Sequence, residues 1–397
     1  MIPSEERWGI PAISILPGNR CANRCVPEGV RIVIPFMTPD QIETAARRLR
    51  LGVANVGFWV LAAGGGLGWV STCGGKSLDP RLYAVAGIAA VGAQAIFDFL
   101  GGIWSMPRPR QTLTGFLARW LRGVLGHTLV PIAVGLLSFV SFIYSSGFSW
   151  SVLLASLGLA IGRIHLLRII GGASFSEIPI HGETVLVAEV EDPAFTGGVV
   201  GFGRRAFSLF PARWRDCLSE TELAVESFRR NWQISQGLSA RAFVLILGWN
   251  LLGVSIGSTA FKFATLPPGV ALFGHACWMT LWTFASLLLL PVLSGQVVFA
   301  ADRAAADAGH DPSAWIARFP GLIGEDGNPS IALQTIFYPL PSATLRLRAL
   351  RIPAPRFVPG NLARSNLYYS CAAFTLLGRA VHCNIGRPAL WIFAPSA

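Results

Sequence analysis

Residues 270–299 read VALFGHACWMTLWTFASLLLLPVLSGQVVF, thirty positions without Asp, Glu, Lys or Arg. The hydrocarbon core of a bilayer needs roughly 20 apolar residues to be crossed by a helix, so this stretch predicts a transmembrane segment. A second run, 241–263, precedes it across a short link holding Lys262, Pro267 and Pro268, and the two predict a transmembrane hairpin. Toward the N-terminus four further apolar runs, 51–73, 82–104, 123–146 and 151–170, predict a four-span bundle. A seventh run, 367–382, is short and interrupted by Arg379; its expected place is the interface, or docked on the protein.

Composition points the same way. The 397 residues are 52% hydrophobic and only 13% charged, about half the charge of an ordinary soluble domain, and mean hydropathy is +0.53. A disordered chain, a disulfide-rich miniprotein and an ordinary cytosolic enzyme are excluded. The fold class is mostly α: a polytopic helical membrane protein with about six spans. The net charge of +11 is carried almost wholly by arginine, with Lys76 and Lys262 the two lysines. Residues 1–50 hold seven Arg, and the 105–122 loop holds Arg108, Arg110, Arg119 and Arg122 without an acid. The alternate loops are nearly bare. By the positive-inside rule the N-terminus, 105–122, 171–240 and 300–365 face the cytoplasm, and the high Arg-to-Lys ratio suggests a bacterial inner membrane. The basic balance reads as loop charge, not as nucleic-acid binding.

Residues 1–49 are polar and Pro-rich and show no secretory signal pattern. Seven cysteines, an odd number partly inside apolar runs, make no disulfide framework. Cys21 and Cys25 are spaced C-x3-C with no second pair, a weak metal half-site. Gly64 with Gly68, Gly158 with Gly162, and Gly253 with Gly257 each place two glycines on one helix face; intramolecular packing is the expected use. Within the spans Asp98, His127, Asn250 and His275 are polar. Asp98 is expected to pair with an arginine or a backbone group, and the two histidines to be packing residues. No transporter-type inverted repeat, Gly-rich phosphate loop, dinucleotide fingerprint or filter sequence is present.

Between the spans the pattern changes. Glu183–Val190 alternates as a strand does, Asp192-Pro193 breaks it, and Ala194-Phe195-Thr196-Gly197-Gly198 follows. Leu218-Ser219-Glu220-Thr221-Glu222-Leu223 opens a helix with Ser219 as N-cap and Glu222 at the capping-box position. That helix runs through Val225, Phe228 and Trp232 into the hairpin. Ala301-Asp302 starts a second helix, and Tyr338-Pro339 with Arg346 comes last.

This order resembles the CaaX-prenyl-protease and heat-shock-protease type of membrane zinc metallopeptidase, a gluzincin family, over about 180–352. Its members carry an N-A-F-A-x-G-G strand edge, an L-S-x-x-E-L helix bearing H-E-x-x-H, a transmembrane hairpin, an E-x-x-x-D helix and an H-P-x-x-x-x-R element. The resemblance implies a zincin-like α+β cytoplasmic domain, 171–240 plus 300–352, interrupted by the hairpin 241–299. The remaining parts are an N-terminal segment 1–50, the bundle 51–170, and 353–397 as connector, apolar helix and tail. The run around Trp391 is expected to be a short strand or a docking tail.

The resemblance also shows what is missing. The family's first histidine falls on about Arg229, its glutamate on Arg230, its second histidine on about Gln233 and its third ligand on Val298, while the aspartate persists as Asp302. Tyr338 stands where the family has the late histidine. A guanidinium has no lone pair to offer a metal, and the six histidines, at 127, 165, 181, 275, 310 and 382, include no pair three or four residues apart. No catalytic residue, metal or cofactor is therefore assigned. An arginine at 229 or 230 is expected to pair with Asp302 or a nearby acid; the other reading is a solvated or headgroup-facing patch. The family grips peptides against its edge strand, so Ala194, Phe195, Thr196, Gly197 and Gly198 are the candidate peptide-binding edge. The expected function is an inactive, peptidase-like membrane protein that binds protein partners and lipid, or serves as a complex subunit. An active peptidase with an unconventional site, and a transporter using intramembrane polar groups, are the alternatives.

Overall fold

The computed structural model describes residues 39–72, 79–104, 113–180, 183–325, 329, 338, 340–353 and 357–395. Expectations for residues 1–38, for Cys21 and Cys25, for Lys76, Arg108 and Arg110, and for His181 lie outside these residues; residues 39–50, expected in the N-terminal segment, form the first turns of a long helix instead.

Six helices are long and apolar enough to cross a membrane. They are α1 (Pro39–Thr72), α2 (Pro80–Trp104), α3 (Leu113–Ser145), α4 (Ser149–Gly171), α7 (Leu238–Phe261) and α8 (Pro268–Asp307). Each covers one of the six predicted runs. The chain is thus a polytopic helical membrane protein. Large apolar side chains on these helices point outward, among them Leu61 at 78%, Leu129 at 65% and Ile161 at 82% exposure, the surface that hydrocarbon covers. Gly253 and Gly257 do pack within the chain. A Cβ at Gly257 would stand 2.2 Å from the Trp278 ring, and one at Gly253 would stand 2.6 Å from Trp282. Trp278 Nε1 donates to the Gly253 carbonyl at 2.7 Å. The pairs Gly64/Gly68 and Gly158/Gly162 meet no neighbouring atoms.

The α8 helix is 40 residues long, about 60 Å at 1.5 Å per residue, roughly twice the hydrocarbon thickness. The sequence suggests a span followed by a separate helix at 301–306; the structure makes them one rod. No Gly or Pro interrupts Val297-Val298-Phe299-Ala300-Ala301-Asp302, so nothing breaks the backbone ladder there. Asp302 consequently sits near the end of a membrane helix.

Between α4 and α7 the chain forms a small mixed sheet from β1 (Ser174–Ile180), β2 (Glu183–Glu189), β3 (Gly198–Val200) and β4 (Phe207–Pro211), in the order β1-β2-β4-β3. β1 and β2 pair antiparallel, β2 and β4 parallel (Leu186 against Leu209), and β3 and β4 antiparallel (Gly198 against Leu209). After α5 (Trp214–Cys217), α6 (Glu220–Ser235) packs on this sheet. The expected capping box is present: Ser219 N donates to Glu222 Oε2 at 2.9 Å, and Glu222 N donates to Ser219 Oγ at 3.3 Å. Gly237, at φ 62°, turns the chain from α6 into α7, a conformation that costs glycine nothing. Beyond α8 come α9 (Ser313–Ile323) and α10 (Ala343–Ala349).

The C-terminal region departs from expectation. No continuous helix covers 367–382. The chain forms α11 (Leu362–Tyr369), a 3₁₀ turn, α12 (Leu377–Ala380) and α13 (Pro388–Ile392), and it reverses at Phe374, whose φ is 62°. The run at Trp391 is a helical turn instead of a strand. These pieces dock in the body of the protein. Tyr368 Oη donates to the Leu159 carbonyl at 2.7 Å, and Asn366 Nδ2 donates to Ser286 Oγ at 2.9 Å. Each buried backbone group in such an irregular segment needs a partner, and the surrounding helices supply them.

Candidate functional site

The face of α6 that meets α8 carries Glu226, Arg229, Arg230 and Gln233 at spacings of three, four and seven residues, one stripe of a helix. Glu226, Arg229 and Arg230 are 2%, 0% and 2% exposed, which excludes the solvated-patch reading. Arg229 Nε lies 2.9 Å from Asp302 Oδ1 on α8, the ion pair expected from the sequence. Glu226 stands between two guanidiniums: Arg230 Nε donates to Oε1 at 2.8 Å, and Arg229 Nη1 binds Oε2. Asp302 is clamped from its other side by Arg346 on α10, whose Nε and Nη2 donate to its two oxygens at 2.7 and 2.8 Å. Three arginines and two acids thus form one buried chain of charge joining α6, α8 and α10.

Arg230 also fastens α6 to the sheet. Its Nη1 donates to the Leu209 carbonyl of β4, its Nη2 to the Thr196 carbonyl at 2.8 Å, and its guanidinium lies 4.1 Å from the Phe210 ring centroid. The other sequence-selected positions lie around this core. Val298 is buried in the main hydrophobic cluster. Gln233 Oε1 accepts from Asn361 Nδ2 at 3.5 Å. Tyr338 lies farther out, with its ring 5.1 Å from that of His382.

Electrostatics keep Glu226 and Arg229 charged. Burial alone would raise the Glu226 pKa, but Arg229 and Arg230 outweigh it and hold the carboxyl below its ordinary range. Burial would likewise weaken Arg229, but Asp302 and Glu226 hold its pKa above the usual arginine value. Both Glu226 oxygens are thus engaged by guanidiniums.

The metal implied by the family resemblance does not fit these residues. The positions that the sequence resemblance would assign to it hold the guanidiniums of Arg229 and Arg230, the amide of Gln233 and the alkyl group of Val298, and a guanidinium cannot coordinate a cation. Among the described residues no three His, Cys, Asp or Glu side chains come together as ligands. Three of the histidines make other contacts. His127 Nδ1 accepts from Arg379 Nη1 at 2.9 Å, His275 stacks on Phe148 at 4.1 Å, and His310 meets the Phe228 ring at 5.1 Å.

Of the candidate peptide-binding edge, Ala194, Phe195, Thr196 and Gly197 are buried. Phe195 packs edge-on against Phe393 of the C-terminal segment at 6.1 Å, and the Thr196 carbonyl is taken by Arg230. Gly198 and Val199 on the outer strand β3 are half-buried and border a cavity of about 70 Å³. The accessible edge is therefore shorter than the sequence pattern suggests.

Two ion pairs with the C-terminal segment lie outside this cluster. Asp98 pairs with Arg379 through Nε at 3.1 Å and also through Nη2, the arginine partner expected for that acid. Asp192 pairs with Arg387 through Nε at 2.8 Å. The second pair, and Arg364 discussed below, carry no local sequence signal.

No family model matches the sequence, and no curated protein matches it. Among solved structures the chain is similar to Ste24p of S. mikatae, with 11% identity over 79% of this chain and 99% of that chain and a TM-score of 0.49.

Proposed function

We propose that this protein is a catalytically inactive, metallopeptidase-like integral membrane protein that binds or scaffolds other proteins, as an accessory subunit of a membrane complex. The observation that carries the reading is the closed salt-bridge cluster of Glu226, Arg229, Asp302 and Arg346 at the junction of α6 and α8. In a zinc peptidase of the kind the sequence resembles, that junction holds the cation and its water. Here the retained acid Asp302 is neutralised by two guanidiniums instead. A buried carboxylate needs a counter-charge, and side-chain cations supply it. The active-peptidase alternative would need ligands drawn from elsewhere, and the transporter alternative would need an available Asp98, which is instead held by Arg379.

Partner binding rests on the surfaces that remain. The accessible part of β3 offers a strand edge, and the glycine faces at 64/68 and 158/162 are open on the span surfaces. The protein sits in a bacterial inner membrane with its N-terminus and its sheet on the cytoplasmic side, as the arginine-rich loops direct.

The test is elemental analysis of the purified full-length protein, combined with a peptide-hydrolysis assay before and after added zinc. The expected result is substoichiometric zinc and no cleavage in either condition. One zinc per chain, removed by a chelator together with a peptidase activity, would overturn the proposal. Affinity capture from native membranes in mild detergent tests the subunit role; recovery of the chain alone as a monomer would count against it.

A further inference from the structure

Arg364, on α11, is 6% exposed, and neither of its terminal nitrogens has a hydrogen-bond partner among the described residues. Every arginine of the neighbouring cluster is tied to a carboxylate; Arg364 has no such contact among the described residues. Burial pushes its pKa down to about 9, with the Glu325 and Glu226 carboxylates offsetting only part of the effect, so it is a cation at neutral pH. An uncompensated buried charge is costly, by several kcal/mol per ion. An anion from outside the chain would complete it.

The space for that partner adjoins it. Arg364 lines the cavity of about 70 Å³ that also reaches Arg163, Arg230, Glu226 and Asn361. Three guanidiniums against one carboxylate leave an excess of two positive charges in the wall. Glu226 and Arg230 are already bonded to each other, so the excess is borne by Arg163 and Arg364. Arg163 spends Nε and Nη2 on the Ile392 carbonyl at 3.2 and 3.0 Å, and its guanidinium lies 4.0 Å from the Phe393 ring centroid, which fixes its position. Arg163 retains Nη1 beyond those two bonds and Arg364 both terminal nitrogens; donors of this kind with excess charge match the several acceptor oxygens and double charge of a phosphate. The volume admits a few water-sized groups, enough for a tetrahedral oxyanion.

The level of the cavity bears on the source. Arg163 belongs to the span helix α4, and Leu238 and Ala242, also in the wall, belong to the first turns of the span helix α7. A phosphate here stands where a span leaves the membrane.

We propose that the cavity bounded by Arg163, Arg230 and Arg364 is a phosphate-binding site, filled by the phosphate of a soluble compound or of an anionic phospholipid headgroup. The site is independent of whether the chain cleaves peptides.

The experiment uses the full-length protein. In detergent, inorganic phosphate is titrated against thermal unfolding; in a parallel arm, phosphatidic acid is titrated and bound lipid counted by native mass spectrometry. A ligand that binds the folded state raises the unfolding temperature with concentration. The expected result is saturable stabilisation by at least one ligand, the responding arm identifying the source. Arg364→Gln lowers that affinity at least tenfold while unfolding at the wild-type temperature or above it without ligand. Arg364→Lys, which keeps the charge and loses the fork, also weakens binding tenfold and serves if the first variant does not fold. The proposal is overturned if neither ligand stabilises the wild type up to about 10 mM, or if the folded Arg364 variants bind as the wild type does.

Discussion

Arg379 and Asp98 meet through 281 positions of sequence, with Nε 3.1 Å from Oδ2, and both side chains are buried. Asp98 also accepts from Gln94 Nε2 and from the Gly386 backbone, each at 3.1 Å. Arg379 lies 4.0 Å from the Trp391 ring centroid. One intramembrane acid on α2 thereby holds two parts of the C-terminal segment, and its carboxylate is spent on structure.

Breaking this pair from either side should destabilise the protein. Asp98→Asn or Arg379→Leu leaves a buried charge without its counter-ion, a loss of about 3–5 kcal/mol. Thermal unfolding in detergent measures it. A double variant removing both charges should lose less than the sum of the two single ones. If Asp98→Asn unfolds like the wild type, the structural role of the pair is wrong.

Asp302 is the hub of the second network. Asp302→Asn strands Arg346 and leaves Arg229 with Glu226 alone, and should cost about 3–5 kcal/mol. Arg346→Lys keeps the charge but loses the two-pronged contact and should cost less, about 1–2 kcal/mol. The order of the two unfolding temperatures is the check.

The acids of the protein should respond to pH in opposite senses. Glu226 has a folded-state pKa below its ordinary value of 4.5, because Arg229 and Arg230 outweigh the effect of burial. Its contribution is therefore present above pH 4.5 and is lost as pH falls through the lower folded value. Glu325 is raised above 4.5, because burial outweighs Arg48, Arg387 and Arg364; its favourable contribution is present below pH 4.5 and lost as pH rises through the folded value. Hence Glu325→Gln should stabilise the protein at neutral pH, whereas Glu226→Gln should destabilise it there. Unfolding temperatures across an acid-to-neutral series compare them.

The glycine pairs should separate by position. Gly257→Val drives a side chain into the Trp278 ring and should cost about 1–3 kcal/mol through overpacking. Gly158→Val, on a face with no neighbours within 4 Å, should leave monomer stability within about 0.5 kcal/mol of wild type. Unfolding of both variants in the same detergent provides the comparison.

The six spans could be read from the chain because length and apolarity are properties of a continuous segment: thirty uncharged residues at 270–299 cross a bilayer whatever their neighbours are. The N-terminus of α6 was equally legible, since the Ser219–Glu222 box lies within four residues. That no two histidines stand three or four residues apart could be counted. Which arginines would be buried could not. Arg229, Arg346 and Arg364 look alike in sequence, yet the first two pair with Asp302 and the third forms no ion pair among the described residues, because α8, α10 and α11 converge only after the chain has folded. The same reason hid the C-terminal segment. Its apolar run is too short for periodicity to separate a helix from a series of turns, and its shape was set by the carbonyls, hydroxyls and acids that the surrounding helices presented to it.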